Sequence, residues 1–155
     1  MSAARTERRA ESRPARESRH RGREAALQML YQWEVGREPM SDVRRTFWRL
    51  ADDAEASADD RQAFATRLAE GVADSLAELD PIIVEAAEHW RLERLNVLDR
   101  LILRLAIYEL LHEPETPAKV VINEALELAR TFSTEDAVKF INGMLDAVRK
   151  KIESR

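Results

Sequence analysis

Residues 97–111 read Val-Leu-Asp-Arg-Leu-Ile-Leu-Arg-Leu-Ala-Ile-Tyr-Glu-Leu-Leu. Val97, Leu98, Leu101, Ile102, Leu105, Tyr108 and Leu111 follow the 3.6-residue period, and the apolar face they make is too broad for a helix resting on a surface. This segment is expected to be the central helix of the core. Pro114 and Pro117 end it, and Thr116-Pro117 starts a further helix carrying Val121, Ala125, Leu128 and Phe132. Ser133, with Asp136 three positions later, gives a capping-box-like start to a last helix striped by Val138, Ile141, Leu145, Val148 and Ile152.

Working back towards the N-terminus, Phe64, Leu68, Val72, Leu76 and Leu79 make one stripe that is expected to stop at Asp80-Pro81. Asp80 can cap the next helix, with Pro81 in its first turn, running to about Trp90. Ser41 can cap an earlier helix with Val43, Phe47, Leu50 and Ala54 on its inner face, and the acidic stretch from Asp52 to Asp60 is expected to link it onward. From Arg23, the residues Ala26, Leu27, Leu30, Tyr31 and Trp33 predict a first helix that Gly36 and Pro39 end. No window alternates with period two, and Asn142-Gly143 falls inside a helical stripe. The expected fold is all-α, a compact bundle of about seven helices. It comprises a flexible basic arm, residues 1–18, and a single helical domain over 19–152.

Composition agrees. The chain has 155 residues, 45% hydrophobic and 35% charged, with four Gly, five Pro and no Cys. A domain of this length buries roughly 68–70% of its unfolded surface, so one core suffices. Without Cys there are no disulfides, thiolate nucleophiles or Cys-ligated zinc. The N-terminus has no apolar run of signal-peptide length and no stretch approaches a membrane span, so the expected compartment is the cytoplasm, with no membrane partner.

Charge is uneven. Residues 1–23 hold eight Arg against three Glu, a balance of +5, while the whole chain carries −4, which leaves −9 for residues 24–155. Arginine's planar fork suits phosphate and base edges, so nucleic acid is a natural partner for the arm, although short Arg-rich tails also serve solubility or bind acidic surfaces nonspecifically. Catalytic signatures are missing. His20, His89 and His112 are scattered, no His-x-x-x-His pair or phosphate-cradling glycine loop occurs, and neither an enzyme nor a cofactor is expected. Asp99-Arg100 could mark a site, but neighbouring charges on a helix point in different directions, which favours a solvated helix face. Asn123 is expected to hydrogen-bond within the core, and mid-helix Gly143 to reflect close helix packing.

For single-stranded RNA, cations must follow the phosphates and flat groups must stack on splayed bases. Arg19, Arg21 and Arg23 supply the cations. Tyr31, about two turns beyond Arg23, could add a stacking ring, or could equally sit on the edge of the core stripe. Asp136, Lys139 and Phe140 lie at i, i+3 and i+4, hence on one face.

Three stretches carry a resemblance. They are Arg21-Gly-Arg-Glu-Ala-Ala-Leu-Gln-Met-Leu-Tyr31; Trp90 to Leu111, with Asp-Arg, Ile-Leu-Arg and Ala-x-Tyr-Glu-Leu; and Pro117 to Asp146, ending in Asn142-Gly143-x-Leu-Asp146. In this order and spacing the chain, over about residues 19–150, resembles the NusB family of bacterial transcription antitermination factors. The resemblance implies two helical subbundles that bind the boxA element of ribosomal RNA leader transcripts together with NusE, a small-subunit ribosomal protein. It also implies assembly with other Nus factors and RNA polymerase to promote read-through of terminators. It places the Asp136–Lys139–Phe140 face beside RNA and Asp99 and Arg100 on the NusE-facing side. The arm upstream of Arg19 is longer than the family minimum, and Gly22 interrupts the arginines where a stronger helix former would fit.

NusB-like domains also precede a methyltransferase domain in ribosomal RNA cytosine methyltransferases. That reading needs an α/β domain after residue 150, so a free-standing factor is expected. A helix-turn-helix DNA binder would need a Gly-containing turn before a basic recognition helix, and none is evident.

Overall fold

The computed structural model describes residues 12–50, 58–87 and 92–154. Seven α-helices cover most of them: α1 (Arg13–Gly36), α2 (Met40–Leu50), α3 (Ala58–Asp74), α4 (Leu76–Ala87), α5 (Val97–His112), α6 (Ala118–Phe132) and α7 (Glu135–Glu153). A 3₁₀ turn at Leu92–Arg94 precedes α5, and no strand occurs among the described residues. No helix among them is long and apolar enough to cross a membrane.

Helix α5 is central. Every residue from Leu101 to Ile107 is buried, Arg104 included, because α5 is covered by helices on several sides. Each fully buried Leu or Ile there contributes about 1.5–3 kcal/mol relative to exposure. Helices α1, α2 and α3 form one subbundle, in which α1 packs most extensively on α3; α4, α6 and α7 gather around α5 to form the other. Two polar clamps tie the halves together. Arg104 donates to both carboxylate oxygens of Asp80 on α4, at 2.8 and 3.0 Å, and to Glu34 on α1 at 3.0 Å. Arg23 on α1 donates to both carboxylate oxygens of Glu109 on α5, at 2.8 and 2.9 Å.

Several boundaries differ from expectation. Helix α1 begins six residues before Arg19, because the Ser12 side chain accepts from the Ala15 amide at 3.3 Å and Pro14 fits the first turn. Residues 12–18 are therefore helical, and the remainder of the expected arm, 1–11, lies outside the described residues, as do Ala54, His89, Trp90 and most of the acidic link. Helix α2 starts at Met40, with the Pro39 carbonyl accepting from Asp42 and Val43, so Ser41 is not its cap.

The α3–α4 break falls at Ser75, whose carbonyl accepts from the Glu78 and Leu79 amides. Pro81 is consequently inside α4, and Asp80 serves Arg104 rather than a helix end. At the α6–α7 junction Thr134, not Ser133, is the N-cap, accepting from the Ala137 amide at 3.1 Å. Ser133 closes α6 and turns its hydroxyl to Asp99.

Candidate nucleic-acid interface

Successive residues of a helix are about 100° apart, so Arg19 and Arg21 point in nearly opposite directions and Arg19 and Arg23 share a side. On the α3 side, the Arg19 guanidinium lies 4.7 Å from the Phe64 ring centroid, and that of Arg23 lies 5.2 Å from it. Gly22 explains how α1 reaches this depth. A Cβ at Gly22 would stand 2.8 Å from Phe64 Cδ2, so its missing side chain permits the approach.

Arg23 is 2% exposed and spent on Glu109. The expectation that it contacts RNA is corrected: burial of a guanidinium requires a hydrogen-bonded carboxylate, and Glu109 is that partner. Arg21 is exposed on the opposite flank, over a cleft of about 540 Å³ that Arg16, His20, Glu24 and Glu124 also line. His20 Nδ1 meets Glu124 at 2.6 Å there, joining α1 to α6.

Further along α1, Tyr31 is 42% exposed, which sets it outside the core stripe. With Leu27, Gln28, Leu98 and Phe132 it lines an apolar groove of about 280 Å³. Next to Leu98 and Phe132 in sequence lie Asp99 and Ser133, the Ser133 hydroxyl donating to the Asp99 carboxylate at 2.7 Å. Asp99 in turn lines a second groove, of about 350 Å³, with Asn96, Arg94, Asp136 and Phe140. Asp136 and Lys139 are exposed; Phe140 is half-buried, with one part on the core and another in the groove.

The structure thus brings Arg21, Tyr31, Asp99, Asp136 and Phe140 to one side of the molecule, and leaves Arg19 on the far flank of α1 and Arg23 inside. Arg100 parts company with Asp99. It reaches back to Glu34 at 3.0 Å and to the Leu92 and Leu95 carbonyls, with 15% of its side chain exposed, and so holds the 3₁₀ turn in place.

The chemistry of this side is mixed. Cations (Arg16, Arg21, Arg94, Lys139) stand at its edges, aromatic surface (Tyr31, Phe132, Phe140) lies between them, and Asp136 adds an acceptor suited to base amino groups rather than phosphate, whereas the Asp99 carboxylate is held by the Ser133 hydroxyl. Arg94 and Arg16 were not singled out from sequence. Arg94 sits in a 3₁₀ turn with no periodic signal, and Arg16 was counted only as part of an arm. Two other expectations also change. Asn123 is exposed on α6, and a Cβ at Gly143 would meet nothing within 4 Å, so neither residue has a core-packing role. Among the described residues no three His, Asp or Glu side chains are grouped to hold a metal.

An all-helical, two-subbundle protein with an exposed band of arginine, aromatic and carboxylate side chains has the make-up of a nucleic-acid-binding protein. The NusB family model matches residues 20–150. A transcription antitermination protein NusB from Solibacter usitatus is 45% identical over 87% of this chain and 90% of its own length. The solved NusB of T. maritima superposes with a TM-score of 0.76 at 37% identity, covering 85% of this chain and 90% of that one. A structure of the antitermination factors NusB and NusE in complex with dsRNA matches with a TM-score of 0.76 at 25% identity, over 87% and 98% of the two chains. The chain belongs to the NusB family. Its family is one of RNA-binding transcription antitermination factors and not of enzymes.

Proposed function

We infer that this chain is a transcription antitermination factor that binds the boxA element of ribosomal RNA leader transcripts together with NusE, in the cytoplasm, as part of the assembly of Nus factors on RNA polymerase. Family membership and the likeness to a NusB–NusE–RNA complex support it. The observation that carries the reading to this molecule's surface is the set of three grooves that hold Arg21, Tyr31, and Asp136 with Phe140. Arg21 and Lys139 hold phosphates. Tyr31 and the open part of Phe140 stack on bases, and Asp136 accepts from a base amino group or stands clear of the backbone.

The aromatic surfaces favour single-stranded RNA, since a duplex keeps its bases stacked on each other and out of reach. Asp99, in the groove shared with Asp136, lies where a protein docking on α5 would abut the RNA. Arg100 acts one step back, by fixing the 3₁₀ turn.

Competition tests this reading. Labelled boxA RNA bound to the protein should be displaced by unlabelled boxA and not by duplex DNA or a scrambled RNA at the same concentration. Equal displacement by duplex DNA would replace the RNA reading with nonspecific polyanion binding.

A further inference from the structure

The other flank of α1 holds a second cationic channel that the proposed boxA face does not use. Its floor is α3, its walls are α1 and α2. One end, about 530 Å³, lies between Pro14, Ser18 and Arg19 of α1 and Arg61, Phe64 and Arg67 of α3. The other end, about 750 Å³, lies between Arg44, Arg45 and Trp48 of α2 and Gln62, Thr66 and Arg67 of α3. Ala63 and Arg67 line both, so the two ends form one channel.

Five arginines and two carboxylates, Asp60 and Glu70, line this channel; Arg61 is buried, and Asp42 and Glu113 pair with Arg45 and Arg67, so the cluster carries +1 on a chain whose net charge is −4. Such a local reversal of sign concentrates polyanions at the channel. Arg67 is braced by Glu113, at 2.8 and 3.1 Å, and that hydrogen bonding, then the Glu113 charge, raises its pKa against the opposing effect of burial. Its guanidinium also stands 5.4 Å from the Phe64 centroid. Arg44 and Arg45 are exposed and each gives one donor to a carboxylate, Glu70 and Asp42 respectively; a guanidinium has five N–H donors, so both retain donors for phosphate.

Trp48 supplies the flat surface. Its indole N–H donates to Thr66 at 3.1 Å and its ring meets Phe47 edge-on at 4.9 Å, which fixes its plane while one part of it lines the channel. Fixed cations beside an oriented aromatic ring are the parts of a single-strand track.

We propose that this channel is a second RNA track, taking single-stranded nucleotides that flank the element held on the Arg21–Phe140 side. The inference rests on the RNA-binding reading above. The two surfaces meet over the first turns of α1, where Ala15 lines the channel and Arg16 the opposite cleft, so one strand can cross there. An acidic protein would satisfy the arginines but leave Trp48 without a role, so RNA is the occupant.

The test compares two RNAs by fluorescence anisotropy: boxA alone, and boxA extended by about eight unstructured nucleotides, within the usual span of a single-strand site. The extended RNA should bind roughly tenfold more tightly, as one stack and two phosphate contacts would give. Replacing both exposed arginines, Arg44→Ala with Arg45→Ala, should remove that gain and leave boxA alone unchanged. The extended RNA's salt slope should fall by about 1.4. Unchanged circular dichroism will show that the fold survives, as loss of two surface ion pairs predicts. Equal affinity for the two RNAs, or a gain that persists in the double variant, would overturn the second track while leaving boxA binding intact. Failure of either RNA to bind would overturn both readings. Displacement of the flank alone by polyglutamate, as effectively as by RNA, would assign the channel to acidic protein instead.

Discussion

Helix α1 has two flanks, and the same residue type does opposite work on them. Towards α3, Arg19 and Arg23 lie over Phe64, and Arg23 is locked to Glu109 inside the molecule. Towards α6, Arg21 is exposed beside a cleft that His20, Glu24 and Glu124 also line. The lesson is that a run of arginines is not one site. Position modulo 3.6 decides which of them stabilise the fold and which face a ligand.

Breaking the buried side should have the largest effect. Glu109→Ala leaves the Arg23 guanidinium buried without its carboxylate, and urea unfolding should show a loss of about 3–5 kcal/mol. Arg21→Ala should stay within about 0.5 kcal/mol of the wild type in the same experiment. Comparable losses in both would erase the distinction between the flanks.

The mid-helix glycines sharpen the same contrast. A Cβ at Gly71 would stand 2.1 Å from Tyr108 Cζ, and one at Gly22 would stand 2.8 Å from Phe64, whereas Gly143 faces open space. Gly71→Ala and Gly22→Ala should each cost about 1–3 kcal/mol through overpacking. Gly143→Ala should add about 0.4–1 kcal/mol through helix propensity and a less flexible unfolded chain. Thermal melts of the three variants check the order and the sign.

On the open flank the effects are on binding. Arg21→Ala should make the dependence of log K on log salt shallower by about 0.7, the release expected from one single-strand phosphate contact. An unaltered slope would take Arg21 off the RNA. Asp136→Asn removes a carboxylate from the same side without disturbing the Thr134 cap, so boxA affinity should hold level or rise. A large loss in the folded variant would mean that the carboxylate itself grips a base.

Much of the fold was legible because periodicity reports burial directly. The Val97–Leu111 stripe marked the central helix, and Pro114 with Pro117 marked its end. Boundaries were harder to read, since Ser133 and Thr134 are adjacent cap formers and only tertiary contact, the Asp99 carboxylate drawing off the Ser133 hydroxyl, decides between them. Pro81 likewise read as a helix start because a lone proline signals a first turn equally well.

The residue types of the candidate site were open to reading from sequence, and the directions of their side chains were not. Asp136 and Phe140 share a groove as their i, i+4 spacing allows, while Tyr31 lines a separate one, and Arg23 is turned inward by a partner, Glu109, that stands far off in sequence. The α2–α3 channel had no local signature, since Arg44, Arg45, Trp48 and Arg67 converge only once α2 packs on α3.

The central claim is that RNA and NusE meet on one side of this molecule. The direct measurement is a boxA titration at zero and at saturating NusE, on the wild type and on Asp99→Lys. If the two ligands share that side, NusE should tighten boxA binding about 5- to 150-fold, a coupling of about 1–3 kcal/mol, and RNA should tighten NusE binding by the same factor. Asp99→Lys should reduce the enhancement and leave the affinity for boxA alone nearly unchanged. Identical boxA affinity with and without NusE in the wild type would contradict the account.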